Sequence, residues 1–208
     1  MDGNYLVVEL NRRLSGYPIL VSGVLLHGRW DADLKRGYRT FAGTDHSGGR
    51  TEAESTAFRI RADLVDTLGW RGVDATPWVS YTNTRVDVDS FNERNGSLPA
   101  RFDRQSNTFE EARIGIMGSK QATQRLKVSP SLEHVVGLSG DMPGVTGDIE
   151  GVTSFSIPGY QPKKSWNKVG VDFDFAMSQK TKLSLSAHAS SNGMDAQRSV
   201  SLGIYGVF

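Results

Sequence analysis

The sequence predicts an all-β chain that folds as an antiparallel, up-and-down transmembrane β-barrel, and three observations lead to this fold class. Apolar residues recur at every second position in long stretches of the 208-residue chain. Several of these stretches are much longer than the usual strand of a globular protein, which has about 5–6 residues. Short and long connections alternate between the stretches, as they do in barrels of the outer-membrane type.

The composition excludes several classes of partner and site. Lys and Arg number 24 against 23 Asp and Glu, so the chain lacks the basic excess of a nucleic-acid surface and we expect no nucleic-acid partner. Without cysteine, neither a disulfide framework nor a cysteine zinc site can form. The mean hydropathy of −0.38 is that of a soluble protein. A membrane β-barrel gives a similarly ordinary mean, because only every second residue of its strands is apolar.

The alternation predicts nine strands, and residues 149–157 add an extension or a further short strand. In chain order the nine lie near residues 4–12, 18–33, 52–66, 73–88, 106–119, 124–138, 165–178, 181–191 and 198–208. The stretch 73–88 has apolar Val79 and Tyr81 at odd positions but Val86 and Val88 at even ones. This change of parity predicts a bulge or a change of environment between them.

Each strand has an apolar face and a polar face. In "NKVGVDFDFAM", Val169, Val171, Phe173 and Phe175 share one face, and we expect them to point away from the barrel axis. The opposite face would line a wet lumen, where we expect charges to be paired because an unpaired buried ion is costly. The residues predicted to face the lumen are Arg59, Arg61, Asp63, Arg113, Glu133, Lys168, Asp172, Asp174 and His188.

The connections favour a membrane barrel over a soluble one, although alternation by itself fits both. Short connections fall near 13–17, 67–72, 120–123 and 179–180, and long ones near 34–51, 89–105 and 139–164, with one of moderate length at 191–197. An up-and-down barrel places alternate connections at opposite rims, and outer-membrane barrels keep one set short. A soluble sandwich has no reason to sort its loops in this way.

The four tryptophans fall near the ends of predicted strands. They are Trp30, Trp70, Trp78 and Trp166. Aromatic girdles at the two membrane interfaces predict such positions, so we assign these residues as interface aromatics. The alternative is that they lie in loops or at the edge of a core.

Four segments carry a resemblance to a known family: "ATPWVSYTNTRVDVDSFNE" (75–93), "VSPSLEHVV" (128–136), "IPGYQPKKSWNKVGVDFDFAMSQKTKLSLSAH" (157–188) and "QRSVSLGIYGVF" (197–208). With them the chain resembles the C-terminal translocator, or β-domain, of an autotransporter of Gram-negative type V secretion, and most of all those of esterase-type autotransporters. The resemblance implies an outer-membrane barrel of about twelve strands, a helix threading its pore and a secreted N-terminal passenger. It also implies contact with outer-membrane lipid and with the barrel-assembly machinery.

The chain departs from this family pattern at its N-terminus. Nine or ten strands, without a preceding helix, predict that residues 1–208 are an N-terminally incomplete translocator that lacks its first strands, pore helix and passenger; a smaller complete barrel is the alternative. The start "MDGNYLVVEL" also lacks the features of a signal peptide, which fits either a cytoplasmic protein or a piece of a longer one.

The last strand, "SVSLGIYGVF", resembles the signal that the barrel-assembly machinery reads. Its apolar residues are Val200, Leu202, Ile204 and the terminal Phe208. Gly206 stands where this signal often has a large apolar residue, which predicts a weaker signal than usual.

No catalytic constellation is present in the sequence. The chain has neither the H-E-x-x-H of a zinc protease nor the G-x-S-x-G of a nucleophile elbow. We therefore expect no catalytic, metal-binding or cofactor-binding residues, and expect any enzymatic activity to lie in the passenger. Two other functions fit parts of the pattern: an outer-membrane barrel enzyme of the protease or lipase type, and a soluble β-barrel binding module.

Overall fold

The computed structural model describes residues 2–65, 67–140, 143–161, 163–191, 193 and 195–206. The strands are β1 (Asp2–Arg13), β2 (Ile19–Thr40), β3 (Gly43–Leu64), β4 (Leu68–Trp70), β5 (Val73–Val88), β6 (Phe91–Asn92), β7 (Ala100–Phe102), β8 (Gln105–Gln121), β9 (Leu126–Ser139), β10 (Val145–Ile149), β11 (Thr153–Ile157), β12 (Ser165–Ala176), β13 (Thr181–Ser190) and β14 (Arg198–Gly206). Within the described ranges, no helix has the length and apolar character needed to cross a membrane.

The main sheet is an antiparallel meander in the order β1-β2-β3-β5-β8-β9-β12-β13-β14, with the short β4 paired to β5. The predicted all-β antiparallel fold is therefore confirmed, and each of the nine predicted strands corresponds to one strand of this path. Among the described residues, β1 pairs only with β2 and β14 only with β13, so the described sheet is open at both edges.

The region 34–51, predicted as a loop, is instead the outer half of a long hairpin. The register between β2 and β3 runs without interruption from Ile19–Leu64 to Thr40–Gly43. Apolar alternation ends before this region, and polar cross-strand pairs continue the ladder; Asp33 and Arg50, for example, lie directly opposite each other. Such pairs stabilise a sheet without leaving a hydrophobic pattern in the sequence.

The predicted bulge in β5 is absent, since the pairing of β5 with both β3 and β8 shows no register shift. The register shifts instead between β8 and β9, where Glu110 pairs with Ser139 and Glu111 with Gly137, so the extra residue, Leu138, lies in β9. The parity change in β5 is a change of face: Val79 lies opposite Ala62, whereas Val86 lies opposite Ser55 on the other side of the sheet. Of the two expectations for this stretch, a bulge or a change of environment, the change of environment is the one observed.

The two faces of the main sheet differ in chemistry, because directly opposed residues of antiparallel strands share a face. On the apolar face, Val169 lies beside Leu132 and Ala189, and the side chain of Val169 is 51% exposed. On the polar face, Lys168 lies beside Glu133, whose side chain is only 14% exposed. In a soluble protein apolar side chains are mostly buried and polar ones mostly exposed, and here the pattern is reversed. A large exposed apolar surface of this kind requires an apolar covering.

The sheet curls toward its polar face. The buried side chains of the main sheet lie on this side: Ser47, Thr51, Asp63, Trp78, Ser80, Ser129, Val135 and Trp166. The polar face is therefore the concave side, and the apolar face is the convex side.

The two ends of the sheet differ in their connections. The short turns around residues 14–18, 65–72, 122–125 and 177–180 lie at one end, since each joins consecutive antiparallel strands in alternation with a long connection. The long hairpin of β2 and β3, the connection at 89–104 and the described parts of the connections after β9 and β13 lie at the other end. We call these the short-turn end and the long-loop end.

A second, smaller sheet forms at the long-loop end from two of the long connections. Its order is β11-β10-β7-β6. It meets the main sheet at Gly48 of β3, which forms an isolated antiparallel bridge with Arg94. We call residues 89–104 together with 143–157 the loop cap.

Candidate functional site

The concave polar face carries a network of charges centred on Arg113 of β8. The Arg113 guanidinium donates to Glu111 Oε1 at 2.8 Å, to Glu133 Oε1 at 3.0 Å and to Asp195 Oδ1 at 3.2 Å. Lys168 Nζ lies 3.4 Å from the same Glu133 oxygen. The network joins β8, β9, β12 and the connection before β14. Shared partners offset the cost of removing these charges from water.

A second cluster lies nearer the β1 edge of the polar face. Arg61 Nε donates to both carboxylate oxygens of Asp63 at 2.9 Å, and its guanidinium carbon lies 4.1 Å from the centre of the Trp78 ring. Arg59 shares this face, but its Nε is buried and has no hydrogen-bond partner among the described residues; the same is true of Ser80 Oγ. Glu9, Asn11 and Ser22 border the same cavity.

The remaining predicted lumen residues lie toward the β14 edge. Asp174 Oδ1 is 3.3 Å from Lys182 Nζ and also accepts a hydrogen bond from Ser184. Asp172 lies 3.9 Å from His188 Nε2. All nine residues predicted to face the lumen thus lie on the concave face of the sheet, while their role as lumen residues stays a prediction. Among the described residues, Arg61, Arg113 and Lys168 have carboxylate partners within 4 Å, whereas Arg59 forms no ion pair, so the expected pairing is observed for three of these four cations.

For three of the four tryptophans, the structure corrects the prediction that they are interface aromatics, because their side chains lie on the polar face. Trp78 and Trp166 are 6% and 3% exposed and lie on the polar face, where Trp166 Nε1 donates to Asp195 Oδ2 at 2.7 Å. Trp30 lies opposite Ala53 and shares this face. The side chain of Trp70 lies outside the described residues. Position near a strand end does not decide which face a side chain takes; parity does, and Trp166 has the parity of Lys168.

The described part of the terminal strand presents its apolar residues to the convex side. Val200, Leu202 and Ile204 lie opposite Ala187, Leu185 and Leu183, and all three are at least 70% exposed. Phe208 lies outside the described residues. The assembly role of this strand stays a prediction.

A polar cluster that the sequence did not reveal fastens the loop cap to the β2–β3 hairpin. Glu93, 8% exposed, accepts hydrogen bonds from Arg36 Nη2 at 2.6 Å, from Arg36 Nε at 3.0 Å and from the Ala100 amide at 2.9 Å. Burial opposes ionisation of Glu93, but the Arg36 guanidinium and this amide outweigh it and hold the pKa of Glu93 below its ordinary value. No local motif predicts the pair, because its members are 57 positions apart.

Asp45 of the hairpin holds the same connection at a second point. Its Oδ2 accepts from both the Oγ and the backbone amide of Ser97, each at 2.8 Å. These bonds, with one from the His46 amide, lower the pKa of Asp45 to about 2. Among the described residues, no group of three or more acidic or His side chains is placed to hold a metal ion.

Comparison with known proteins gives one family and a small set of relatives. Residues 13–188 match the family described as "Autotransporter beta-domain". Esterase EstA of Pseudomonas aeruginosa is 26% identical over 183 residues, which are 83% of this chain and 27% of that protein. An uncharacterised protein of the trpE-trpG intergenic region of Pseudomonas putida is 26% identical over 137 residues, 63% of this chain and 23% of that protein. The chain thus spans about a quarter of the length of these curated relatives.

A solved structure has the same fold. The translocator domain of the autotransporter NalP from Neisseria meningitidis superposes with a TM-score of 0.76 at 12% sequence identity. The match covers 100% of this chain and 66% of that one. The curled sheet described above therefore has the fold of that translocator domain, and this chain matches about two thirds of its length.

Proposed function

The chain belongs to the autotransporter β-domain family, the outer-membrane translocators of type V secretion, and from this premise we propose that it walls the pore through which its own N-terminal passenger is secreted. The single observation that carries the proposal is the reversed burial of the main sheet. Paired charges line its concave side, and side chains such as Val169 are exposed on its convex side. A bilayer supplies the apolar covering that this convex side requires.

The concave face has the chemistry expected of a wall past which an unfolded polypeptide moves. Its charges are mostly engaged with one another through Arg113, Glu133 and Lys168, so a threaded segment meets a balanced, hydrated wall. Such a wall offers no large apolar patch to which an unfolded segment would adhere. Arg59 Nε and Ser80 Oγ are buried without a hydrogen-bond partner among the described residues, so an additional polar group could bind at these two positions of the wall.

The open edges of the sheet support a larger barrel. Unpaired strand edges are not viable within the hydrocarbon core, because each backbone amide and carbonyl needs a partner there. We propose that further strands, N-terminal to β1, complete a barrel of about twelve and join β1 to β14. The exposed side chains of β1, such as Tyr5 and Leu10, are consistent with a strand that lacks a neighbour.

The passenger is proposed to be an esterase-type enzyme, because two relatives of the chain bear the name esterase. No catalytic role falls on residues 1–208 in this proposal. Two further partners follow: outer-membrane lipid on the convex face, and the barrel-assembly machinery on the free edge of β14. Strand addition to that edge would combine backbone hydrogen bonds with contacts to Val200, Leu202 and Ile204.

The test uses the full-length protein in a Gram-negative host. Surface exposure of the passenger is measured by protease treatment of intact cells, and ester hydrolysis by the same cells is measured alongside. We expect both signals with the full-length protein and neither when residues 1–208 are deleted, although the passenger is still exported to the periplasm. Equal surface exposure without residues 1–208 would overturn the proposal. Surface exposure without ester hydrolysis would overturn only the esterase assignment.

A further inference from the structure

The loop cap lies on the concave side of the β2–β3 hairpin. Arg36 and Tyr38 have the parity of the polar face on β2, and Asp45 and Ser47 have the parity of the same face on β3. All four contact residues of the 93–100 segment. A connection fastened to this side lies over the long-loop end of the concave face, not beside it.

The fastening is buried and specific. Besides its bonds to Glu93, Arg36 Nη2 donates to the Leu98 carbonyl at 2.7 Å. Tyr38 Oη accepts from the Leu98 amide at 2.9 Å, and Ser47 Oγ donates to the Asn95 carbonyl at 2.9 Å. Ser47 is only 2% exposed. Loss of one member of this set would leave a buried polar group without its partner.

The cap also reaches across the sheet. Gly48 and Arg94 exchange backbone hydrogen bonds of 3.1 and 2.6 Å, which fix β6 to the hairpin. Phe91 stacks on Phe102 with 4.6 Å between ring centres, and Phe102 meets Phe155 edge-on at 5.6 Å. Through these rings and the pairing of β7 with β10, the connection that follows β9 is tied to the β2–β3 hairpin, although β5 and β8 lie between β3 and β9 in the sheet.

We propose that the loop cap is a built-in lid over the outer mouth of the pore, and that the Arg36–Glu93 pair is its latch. The proposal rests on the proposed function, which makes the concave face a lumen. With the latch closed, the cap reduces the open cross-section at the long-loop end. With the latch broken, residues 93–100 lose their central anchor and the mouth widens.

The chain offers a matched control on the same hairpin. Arg50 Nε lies 3.1 Å from Asp33 Oδ1 on the convex side, and both side chains are about two thirds exposed. This pair has the same chemistry as the latch, and among the described residues the hydrogen bonds of Arg50 go to Asp33 and not to the cap. Trypsin sites at Arg94, Arg101 and Arg104 lie within the connection that the latch holds.

The experiment compares the full-length protein with Glu93→Ala, Arg36→Gln and the control Arg50→Gln. Trypsin is applied to intact cells, and single-channel conductance is measured for the purified proteins in planar bilayers. Loss of a buried ion pair is expected to speed cleavage within 89–104 by roughly tenfold or more, since cleavage follows local opening. Conductance should rise in both latch variants, and the control should match the wild type. Heat-modifiable gel mobility verifies that each barrel is folded.

A second variant keeps the proposal testable if the latch variants fail to fold. Because the chain has no cysteine, Asp45→Cys with Ser97→Cys introduces the only thiols of residues 1–208. We expect low conductance when the two introduced cysteines form a disulfide, and a reversible rise in conductance when that disulfide is reduced.

Three results would overturn the lid. They are faster cleavage with unchanged conductance, equal conductance of the oxidised and reduced pair, and a control variant that behaves like the latch variants. The absence of any channel in all variants would overturn the proposed function together with the lid, whereas a channel of unchanged conductance overturns the lid alone.

Discussion

The guanidinium of Arg61 lies over the Trp78 ring, 4.1 Å from its centre, on the concave face of the sheet. Arg61 and Trp78 lie on adjacent strands, β3 and β5, and both belong to the side that holds Asp63 and Ser80. Trp78 therefore packs within a polar network and is not exposed on the convex surface. Cation–π contact of this kind contributes about 0.5–2 kcal/mol, depending on solvation.

The Arg113 network should contribute strongly to stability. Arg113→Ala leaves Glu111, Glu133 and Asp195 without their common partner. We expect a loss of about 2–4 kcal/mol in the free energy of unfolding, somewhat below the full value for buried pairs because the side chain is 15% exposed. Urea titration of the full-length protein in detergent measures this. Arg85, whose side chain is 58% exposed and pairs with Asp87, provides the control, since Arg85→Ala should shift the midpoint far less. Equal shifts for the two variants would contradict the network.

The convex face should reject charge. Val171 lies near the middle of the apolar band, opposite Ala187 and Pro130, and Val171→Arg should destabilise the barrel by about 2–4 kcal/mol in a bilayer. Ser186→Arg, placed on the polar face opposite Asp172, should cost much less. The measurement is unfolding in lipid vesicles, with outer-membrane levels in cells as a second readout. A soluble barrel would tolerate an arginine at this partly exposed position, so a benign Val171→Arg would contradict the membrane assignment.

The attachment of the cap at Asp45 should be lost only in strong acid. Asp45 lies on the part of the hairpin beyond the apolar band, and its pKa is lowered to about 2 by its bonds to Ser97 and His46. A lowered folded-state pKa stabilises the attachment fully above the unfolded value of about 3.9, and the effect disappears as the pH falls through the folded value. We therefore expect protection of the Ser97 amide from hydrogen exchange to be constant from pH 7 to about pH 4 and to fall between about pH 4 and pH 2.

The Asp45→Asn variant is the control for this titration, because its side chain carries no titrating group. It should show weaker protection at Ser97 than the wild type at neutral pH. Its protection should also lack the fall between about pH 4 and pH 2 that Asp45 causes. The same fall in both proteins would assign the acid transition to another group.

The terminal phenylalanine should matter more for assembly than for stability. Phe208 lies outside the described residues, so this prediction rests on its position at the end of an alternating strand. Phe208→Ser should lower outer-membrane levels in cells severalfold, while its effect on stability after refolding into detergent should not exceed about 1–2 kcal/mol. Leu202→Ser, at a position of the same parity in the sequence, is the comparison variant. Equal losses in the two assays would indicate an interface anchor, and normal levels in both would show that Phe208 is incidental.

The comparison of β12 with the β2–β3 hairpin shows how far sequence patterning reaches. In β12 the faces follow from parity, because a strand turns each successive side chain to the opposite side and a bilayer demands apolar groups on one of them. In the hairpin beyond Trp30 no apolar side is required. The ladder continues there through pairs such as Asp33 with Arg50. These pairs produce no apolar alternation in the sequence, so the length of the hairpin could not be predicted from it.

The sequence by itself determined the all-β meander, the existence of its nine strands, the sorting of its connections other than 34–51, and the polar side on which Arg59, Arg113 and Lys168 lie. These are consequences of local periodicity and of turn length. Only the tertiary structure decided that Trp78 and Trp166 belong to the polar network, that Arg113 gathers carboxylates from three segments, and that Glu93 closes on Arg36. Those contacts join residues far apart in the chain, and they depend on strand register and on the curl of the sheet, which brings the concave side chains together. Neither quantity is encoded in any single stretch of the sequence.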